Sequence, residues 1–207
     1  MFTCAECQVL ACSGPGKDNL PKNCPMNHPR IIETSLCEYK GEILRFARQS
    51  AITEGRGYAK WTRVEETIHF CKELSYQKIG IAFCRGMKNE AGLLSKILRA
   101  HGFSVSSVLC KCGGIAKEDV LDLKEEEKVY PGQYESMCNP IAQAMLLNEA
   151  KTEFNIAVGL CVGHDSLFFR YSHAPVTVLV AKDRVLAHNP AGALYCSESY
   201  YKKKVYP

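Results

Sequence analysis

The sequence predicts an α/β fold: a Rossmann-like, doubly wound parallel sheet of about four strands, preceded by a small cysteine-rich module and two helices. From residue 78 onward, short apolar runs of strand length alternate with helical segments, which is typical of a parallel sheet with right-handed crossovers. Before them, residues 33–74 show helical periodicity. The region from Cys4 to Cys24 has four cysteines and little apolar periodicity.

Size and composition limit the classes of function. The chain has 207 residues, 46% of them hydrophobic, which is enough for one core and a small satellite. Its net charge is +4, without the basic stripe that follows a nucleic-acid backbone. No apolar run approaches the ~20 residues that cross a bilayer, and "MFTCAEC" lacks the regions of a signal peptide. We therefore expect a cytoplasmic protein that binds neither nucleic acid nor membrane, with its oligomeric state left open.

The N-terminal cysteines follow the spacing C-x2-C-x4-C-x11-C, and a turn at Gly14-Pro15-Gly16 allows the chain to fold back. Twelve cysteines in a reducing compartment favour metal binding or redox chemistry over disulfides. Four soft thiolates suit tetrahedral zinc or an iron–sulfur cluster, and the spacing leaves both open. A segment this poor in apolar residues needs such a cross-link to fold. We predict a Cys4 metal-binding module over 1–30, with these ligands: Cys4, Cys7, Cys12 and Cys24.

Two helices are predicted next. The first covers 33–54 and ends at "GRG". The second begins at a capping box formed by Thr62 and Glu65, and it places Cys71 on its apolar face, as is typical of a small core residue. We assign 31–77 to a helical linker packed on the core.

The remaining residues, 78–207, predict an α/β domain with a cysteine-lined crevice. Its first strand, "KIGIAFC", is apolar throughout, as expected of a strand buried on both faces. The connection 111–137 is charged and contains Gly and Pro, so it is either a loop or lid over the sheet edge or one extra surface helix. A last helix is predicted from "NPAGALYCSESYYKK". The four predicted strands are 78–84, 103–110, 154–161 and 175–181.

Three of these strands end in cysteine. Cys84 ends the first, Cys110 ends the second with Cys112 just beyond it, and Cys161 ends the third. In an open parallel sheet, ligands bind outside the carboxyl ends of the strands. We therefore expect these thiols at the edge where chemistry takes place.

A local pattern occurs twice in this domain. "CNP" and "HNP" each place Asn before Pro at the start of a predicted helix, where Asn is a good N-cap and Pro suits the first turn. The preceding residue, Cys138 or His188, then lies beside the helix N-terminus, whose partial positive charge favours a thiolate. His164 and Asp165 follow Cys161 after a tight turn, so they are expected near the same edge.

The crevice has two possible roles. It can bind a second metal or cluster through Cys84, Cys110, Cys138, Cys161 and His164, with Cys112 and His188 as further candidate cofactor-binding residues. It can also be a thiol active site, with Cys138 as the nucleophile, His164 as the base and Asp165 orienting it. Both roles describe a metalloprotein with thiol- or metal-dependent redox chemistry on a small molecule. The alternatives are a non-catalytic metal sensor or carrier and a zinc-stabilised module that binds a partner protein.

Several long strings resemble a known family. They are "CNPIAQA", "LCVGHDSLFFRYS", "APVTVLVAKDRVLAHNP" and the N-terminal cysteine cluster. They resemble an uncharacterised, cysteine-rich family labelled as a domain of unknown function, often called metal-binding protein and found mainly in anaerobic bacteria and archaea. The resemblance covers nearly the whole chain. It implies a metal, but no reaction and no substrate.

Overall fold

A computed structural model describes residues 1–15 and 18–207, so Gly16 of the predicted turn and Lys17 lie outside the described residues. The chain divides into two compact units, Met1–Tyr58 and Ala59–Pro207. Within the described ranges, no helix is long and apolar enough to span a membrane. The described helices are α1 Pro29–Cys37, α2 Gly41–Gly57, α3 Arg63–Glu73, α4 Lys88–Ala100, α5 Lys117–Leu121, α6 Pro140–Glu149, α7 His164–Tyr171, α8 Ala191–Tyr195 and α9 Lys202–Val205.

The first unit contains three short 3-10 turns followed by α1 and α2. The prediction of one helix over 33–54 was wrong, because the chain breaks between Cys37 and Gly41. Gly41 has a φ of 54°, in the left-handed region that ends helical propagation and that glycine adopts without steric cost. No described residue from 1 to 40 is buried, so this segment has no apolar core of its own.

The second unit begins with α3, and the predicted capping box at its start is confirmed. The Thr62 hydroxyl accepts a hydrogen bond from the Glu65 amide at 3.3 Å, and a Glu65 carboxylate oxygen accepts one from the Thr62 amide at 2.7 Å. The two bonds satisfy amides that the first helical turn leaves without partners. Cys71 is fully buried on the inner face of α3, as predicted.

The sheet has four strands, all parallel, in the order β2-β1-β3-β4, which confirms the predicted α/β architecture. β1 and β3 are central, and their Ile79, Ile81 and Ile156 are fully inaccessible to solvent. Right-handed crossovers in this order place α4 on one face and α6 and α7 on the other, and α6 and α7 pack together. The strands are β1 Lys78–Phe83, β2 Ser104–Leu109, β3 Phe154–Val158 and β4 Val176–Val180.

The connections that leave β1 and β3 run to opposite faces, so a crevice opens between the ends of these two strands. This reversal is the place where open α/β sheets bind ligands. Each strand ends one to three residues earlier than predicted, so Cys84 and Cys110 follow directly after their strands. Cys161 lies three residues beyond the end of β3.

Two other segments can be compared with their predictions. The connection 111–137 contains the short helix α5, in agreement with the predicted alternative of one extra surface helix, and its two arms pair in antiparallel fashion through a bridge between Ala116 and Ser136. The last predicted helix was too long: it consists of α8, with five residues, and α9, with four. Between them lies "CSESYY", whose serine and tyrosine residues have weak helix propensity, so one helix does not continue through this stretch.

Candidate functional site

The paired arms of the connection bring Cys110 and Cys138 together. The Asn139 amide donates a hydrogen bond to the Cys110 carbonyl at 2.8 Å, and the Met137 amide donates one to the Ile115 carbonyl at 2.8 Å. The two cysteines therefore lie side by side although 27 residues separate them along the chain. Asn139 also caps α6, since its side-chain oxygen accepts from the Ala142 amide at 2.9 Å, as predicted. The cap holds Cys138 at the start of α6.

Three cysteines form a row at the carboxyl edge of the sheet, which we call the thiol cluster: Cys84, Cys110 and Cys138. The Cys110 thiol is within hydrogen-bonding reach of both others. Cys110 is 3% exposed, whereas Cys84 and Cys138 are half-buried. All three pack on the core that includes Ala144, Leu147 and Phe168. The row thus has one buried thiol in the middle and one accessible thiol at each end.

Hydrogen bonds within the thiol cluster lower the pKa of two of its cysteines and raise the pKa of the third. A hydrogen bond from Cys110, assisted by one from His164, lowers the pKa of Cys138 to about 3. A hydrogen bond from Cys110, with the Gly86 amide and Lys182, lowers the pKa of Cys84 to about 5. The same two thiol contacts, together with burial, raise the pKa of Cys110. Cys110 has one proton to donate, so it remains the protonated donor and serves one neighbour at a time.

Two cations that the sequence analysis missed complete the edge. Lys182 follows β4 and stabilises the Cys84 thiolate. Arg184 donates a hydrogen bond to the Cys161 sulfur at 3.1 Å, and its charge also acts on Cys84 and Cys138. The strand-end rule that identified the cysteines applies equally to "AKDR" after the fourth strand, so this signal was present in the sequence.

His188 braces the loop that carries these cations. Its ring Nδ1 accepts a hydrogen bond from the Asp183 amide at 3.1 Å, and its own amide donates to the Asp183 carbonyl at 2.9 Å. The prediction that Asn189 caps the following helix was wrong, because the residue at the N-cap of α8 is Pro190 and no side chain caps it. Through these contacts the His188 ring lies against the backbone of the loop that joins Lys182 to α8.

Of the remaining predicted site residues, one contacts the thiol cluster directly and the others have different hydrogen-bond partners. His164 contacts the Cys138 thiol. The Asp165 carboxylate instead accepts from the Ser166 amide at 2.8 Å, at the start of α7. The Cys112 thiol donates to the Asn139 carbonyl at 3.8 Å, and burial raises its pKa. Cys161 joins the edge through Arg184. The structure therefore gathers Cys84, Cys110, Cys138 and His164 by direct contact, and the other residues surround them.

Gln143 of α6 binds this helix to the ends of two strands below the thiol cluster. Its side chain is fully buried, and its amide nitrogen donates to the Val108 carbonyl at 2.7 Å and the Phe83 carbonyl at 3.3 Å. Phe83 directly precedes Cys84, and Val108 lies two residues before Cys110. The side-chain oxygen of Gln143 has no hydrogen-bond partner within the described part of the chain. One residue thus ties the ends of β1 and β2 to the helix that presents Cys138.

The N-terminal cysteines share a different site. All four line one cavity of about 430 Å³, together with apolar residues that include Leu10, Met26 and Ile32. Cys4 and Cys7 belong to one turn, in which the Cys7 amide donates to the Cys4 carbonyl at 3.2 Å. Four thiols on one cavity are a donor set that suits a soft metal. As their side chains are placed, no three His, Cys, Asp or Glu residues in the described ranges form a group that can hold a metal ion.

Comparison with known proteins identifies the relatives of this chain. Residues 24–179 match the family described as "Protein of unknown function (DUF1847)". The "Uncharacterized protein MJ0455" of the archaeon Methanocaldococcus jannaschii is 50% identical over 203 residues, which cover 98% of this chain and 97% of the relative. Both findings confirm the predicted resemblance to an uncharacterised family. The chain therefore belongs to the DUF1847 family, whose function is unknown.

Proposed function

We propose that the carboxyl edge of the sheet is a dithiol redox site that reduces small-molecule disulfides. Cys138 is the attacking thiolate, and Cys110 is the thiol that resolves the intermediate. The observation that carries the proposal is the pairing of a half-buried Cys138 with a buried Cys110, held by the hydrogen bond from the Asn139 amide to the Cys110 carbonyl at 2.8 Å, with His164 within hydrogen-bonding reach of Cys138. An accessible, stabilised thiolate next to a protected thiol is the arrangement that thiol–disulfide exchange requires.

The reaction has two exchange steps. In the first, the Cys138 thiolate attacks one sulfur of the substrate disulfide, a mixed disulfide forms, and one thiolate leaves. In the second, the Cys110 sulfur attacks the Cys138 sulfur, the second thiolate leaves, and a Cys110–Cys138 disulfide remains. The Cys110 proton ends on a released thiol. The substrate gains two electrons and the protein loses two, so an external dithiol must reduce the protein before the next cycle.

The groups around Cys138 and Cys110 stabilise the negative charges that arise during the two exchange steps. Lys111 and His164 stabilise the Cys138 thiolate before attack. The Arg85 amide donates to the Cys110 sulfur at 3.3 Å, so it stabilises negative charge on that sulfur when its proton leaves. Arg85 and Lys111 each lie two residues beyond the end of a strand, so the core holds their backbone in place. A cytoplasmic location would keep external dithiols available, in agreement with this cycle.

Site-resolved mass spectrometry tests the proposal. Reduced protein is mixed with bis(2-hydroxyethyl) disulfide at pH 6, quenched in acid and digested with an acid-active protease. We expect a Cys110–Cys138 disulfide in the wild type and a mixed disulfide trapped on Cys138 in Cys110→Ala. Cys112→Ala, a neighbouring thiol outside the row, should behave as the wild type. A Cys138 that stays unmodified, or that reacts only after a chelator is added, would refute the dithiol site and favour a metal carrier or sensor.

A second candidate function concerns the N-terminal cavity. We propose that Cys4, Cys7, Cys12 and Cys24 bind zinc or an iron–sulfur cluster there, since all four line the same cavity in a segment in which no described residue is buried. Such a group would cross-link a segment that has no apolar core to hold it together. Anaerobic purification followed by elemental analysis and a visible absorption spectrum tests this. Zinc is expected to be colourless and a cluster brown, and metal-free protein would refute the assignment.

A further inference from the structure

The dithiol mechanism uses two thiols of the row and leaves Cys84 without a task. Cys84 is half-buried and lies at the crevice between β1 and β3. Its sulfur has its own set of donors, the Gly86 amide and the Lys182 ammonium, which differ from those of Cys138. Lys182 lies so close to the backbone here that a Cβ on Gly159 would be 3.4 Å from its Nζ. Cys84 is therefore a second accessible sulfur in a cationic setting at the ligand-binding edge.

The Cys110 sulfur accepts a hydrogen bond from the Arg85 amide at 3.3 Å, and the Cys110 amide donates one to the Phe83 carbonyl at 2.9 Å, so Cys110 lies against the backbone on both sides of Cys84. Cys84 and Cys138 both pack on the buried cluster that contains Cys110. The position of Cys110 next to both half-buried thiols determines what the third thiol can do. A sulfur that is within reach of two others can form a disulfide with either one, while its own burial protects it from reagents in solution. Cys138 and Cys84 have separate polar surroundings, so the two accessible ends of the row can receive different reactants.

We infer that Cys84 is a third redox-active thiol, and that Cys110 passes the disulfide from Cys138 to Cys84. The inference rests on the proposed dithiol function. The Cys84 thiolate attacks the Cys110 sulfur of the Cys110–Cys138 disulfide. A Cys84–Cys110 disulfide forms, and Cys138 leaves as a thiolate. No electrons enter or leave the protein in this step, so no further oxidant is needed. The external dithiol then reduces the protein at Cys84, in the crevice, while Cys138 is free to meet the next disulfide substrate.

Disulfide mapping of single variants tests the relay. Each reduced variant is oxidised with diamide, which accepts two electrons, and is then digested in acid and analysed by mass spectrometry. Cys138→Ala should form a Cys84–Cys110 disulfide, Cys84→Ala should form Cys110–Cys138, and Cys110→Ala should form neither. Cys71→Ala, in the core of α3, serves as a control with the wild-type pattern. Circular dichroism checks folding, and serine variants replace any alanine variant that does not fold.

The outcomes separate the relay from the function on which it rests. If Cys138→Ala gives no Cys84–Cys110 disulfide while Cys84→Ala still gives Cys110–Cys138, the relay is wrong and the dithiol site stands. If Cys84→Ala gives no Cys110–Cys138 disulfide, the dithiol site itself is wrong.

The rate of reduction gives a second measurement. Dithiothreitol should reduce oxidised Cys84→Ala about tenfold more slowly than oxidised wild type, because the entry at Cys84 in the crevice is lost and the dithiol can attack only at the Cys138 end. Cys37→Ala, which removes an exposed thiol on α1, should keep the wild-type rate. Equal rates for Cys84→Ala and wild type would overturn the relay.

Discussion

The two cysteine sites differ in what holds them together. The N-terminal four lie within 21 residues of one another, in a segment where no described residue is buried. The thiol cluster and His164 extend over 81 residues of sequence, yet core-held strand ends and the capped start of α6 bring them into contact. Closeness in sequence supplies the donors of the proposed metal site, whereas the tertiary fold supplies a site whose geometry is already formed. Under the two proposals, the order of the N-terminal site depends on the metal that it binds, and the order of the thiol cluster does not depend on a ligand.

Removal of metal should separate the two sites most strongly. After treatment with a chelator, we expect backbone amides in residues 3–28 to lose at least about a hundredfold of their protection from hydrogen exchange, because a bound metal is the proposed cross-link there. Amides of β1 and β3 should keep their protection. Hydrogen exchange with mass spectrometry measures both in one sample. A Cys7→Ser variant should show the loss without chelator, and unchanged protection in 3–28 would contradict the comparison.

The pH dependence of alkylation should show a smaller but still large difference. The pKa of Cys138 is lowered to about 3, so the sulfur stays ionised as the pH falls from 8 to 5. Its rate with iodoacetamide should therefore change less than about threefold over this range. A thiol with an ordinary pKa near 8.5 should slow by about a thousandfold as it protonates.

The change of the alkylation rate with pH is the informative quantity in that experiment. The absolute rate is less informative, because a thiolate of low pKa is also a weaker nucleophile. Cys37, which is exposed on α1, is followed as the reference site within the same chain. Peptide mass spectrometry follows both sites in parallel. A Cys138 rate that falls tenfold per pH unit would show that the contacts with Cys110 and His164 do not stabilise its thiolate.

Gly159→Ala should destabilise the sheet edge by about 2–4 kcal/mol. Gly159 follows β3 with a φ of 63°, and a Cβ there would lie 2.5 Å from the Met87 side chain. Urea unfolding measures the change in free energy. Gly92→Ala is the matched control, since a Cβ at this position on α4 meets nothing within 4 Å and should stabilise the helix by roughly 0.5–1 kcal/mol. Equal effects would contradict the close packing at the crevice.

Thr62→Ala should have the smallest effect, a loss of about 1 kcal/mol from the capping box of α3. The thiol cluster is held by strand ends and by α6, so the pH profile of Cys138 should not change. Urea unfolding and the alkylation assay measure the two quantities. A steeper Cys138 profile in this variant would mean that the site depends on overall stability rather than on its local frame.

The sequence predicted the strands, the capped helix starts and the strand-end cysteines because short stretches of residues encode each of them. Apolar runs with the right length identify parallel strands, "CNP" identifies a capped helix start, and Thr62 with Glu65 identifies another. The break before Gly41 and the short last helices escaped prediction, since helical periodicity continues through both and a single backbone conformation or weak propensity decides the outcome. The strand-end cysteines were predicted to share one edge through a general property of parallel sheets.

The sequence by itself determined the donors: which thiols, histidines and cations stand next to strand and helix ends. Only the tertiary structure decided which of them touch. Sheet order placed β1 between β2 and β3, and the paired arms of the connection set Cys138 beside Cys110 rather than Cys112. The interactions of Cys110 with Cys138 and Cys84, together with burial, then raised its pKa and made it the proton donor of the row. Contacts between residues far apart in the chain depend on strand order, register and burial, and no local pattern of residues encodes these.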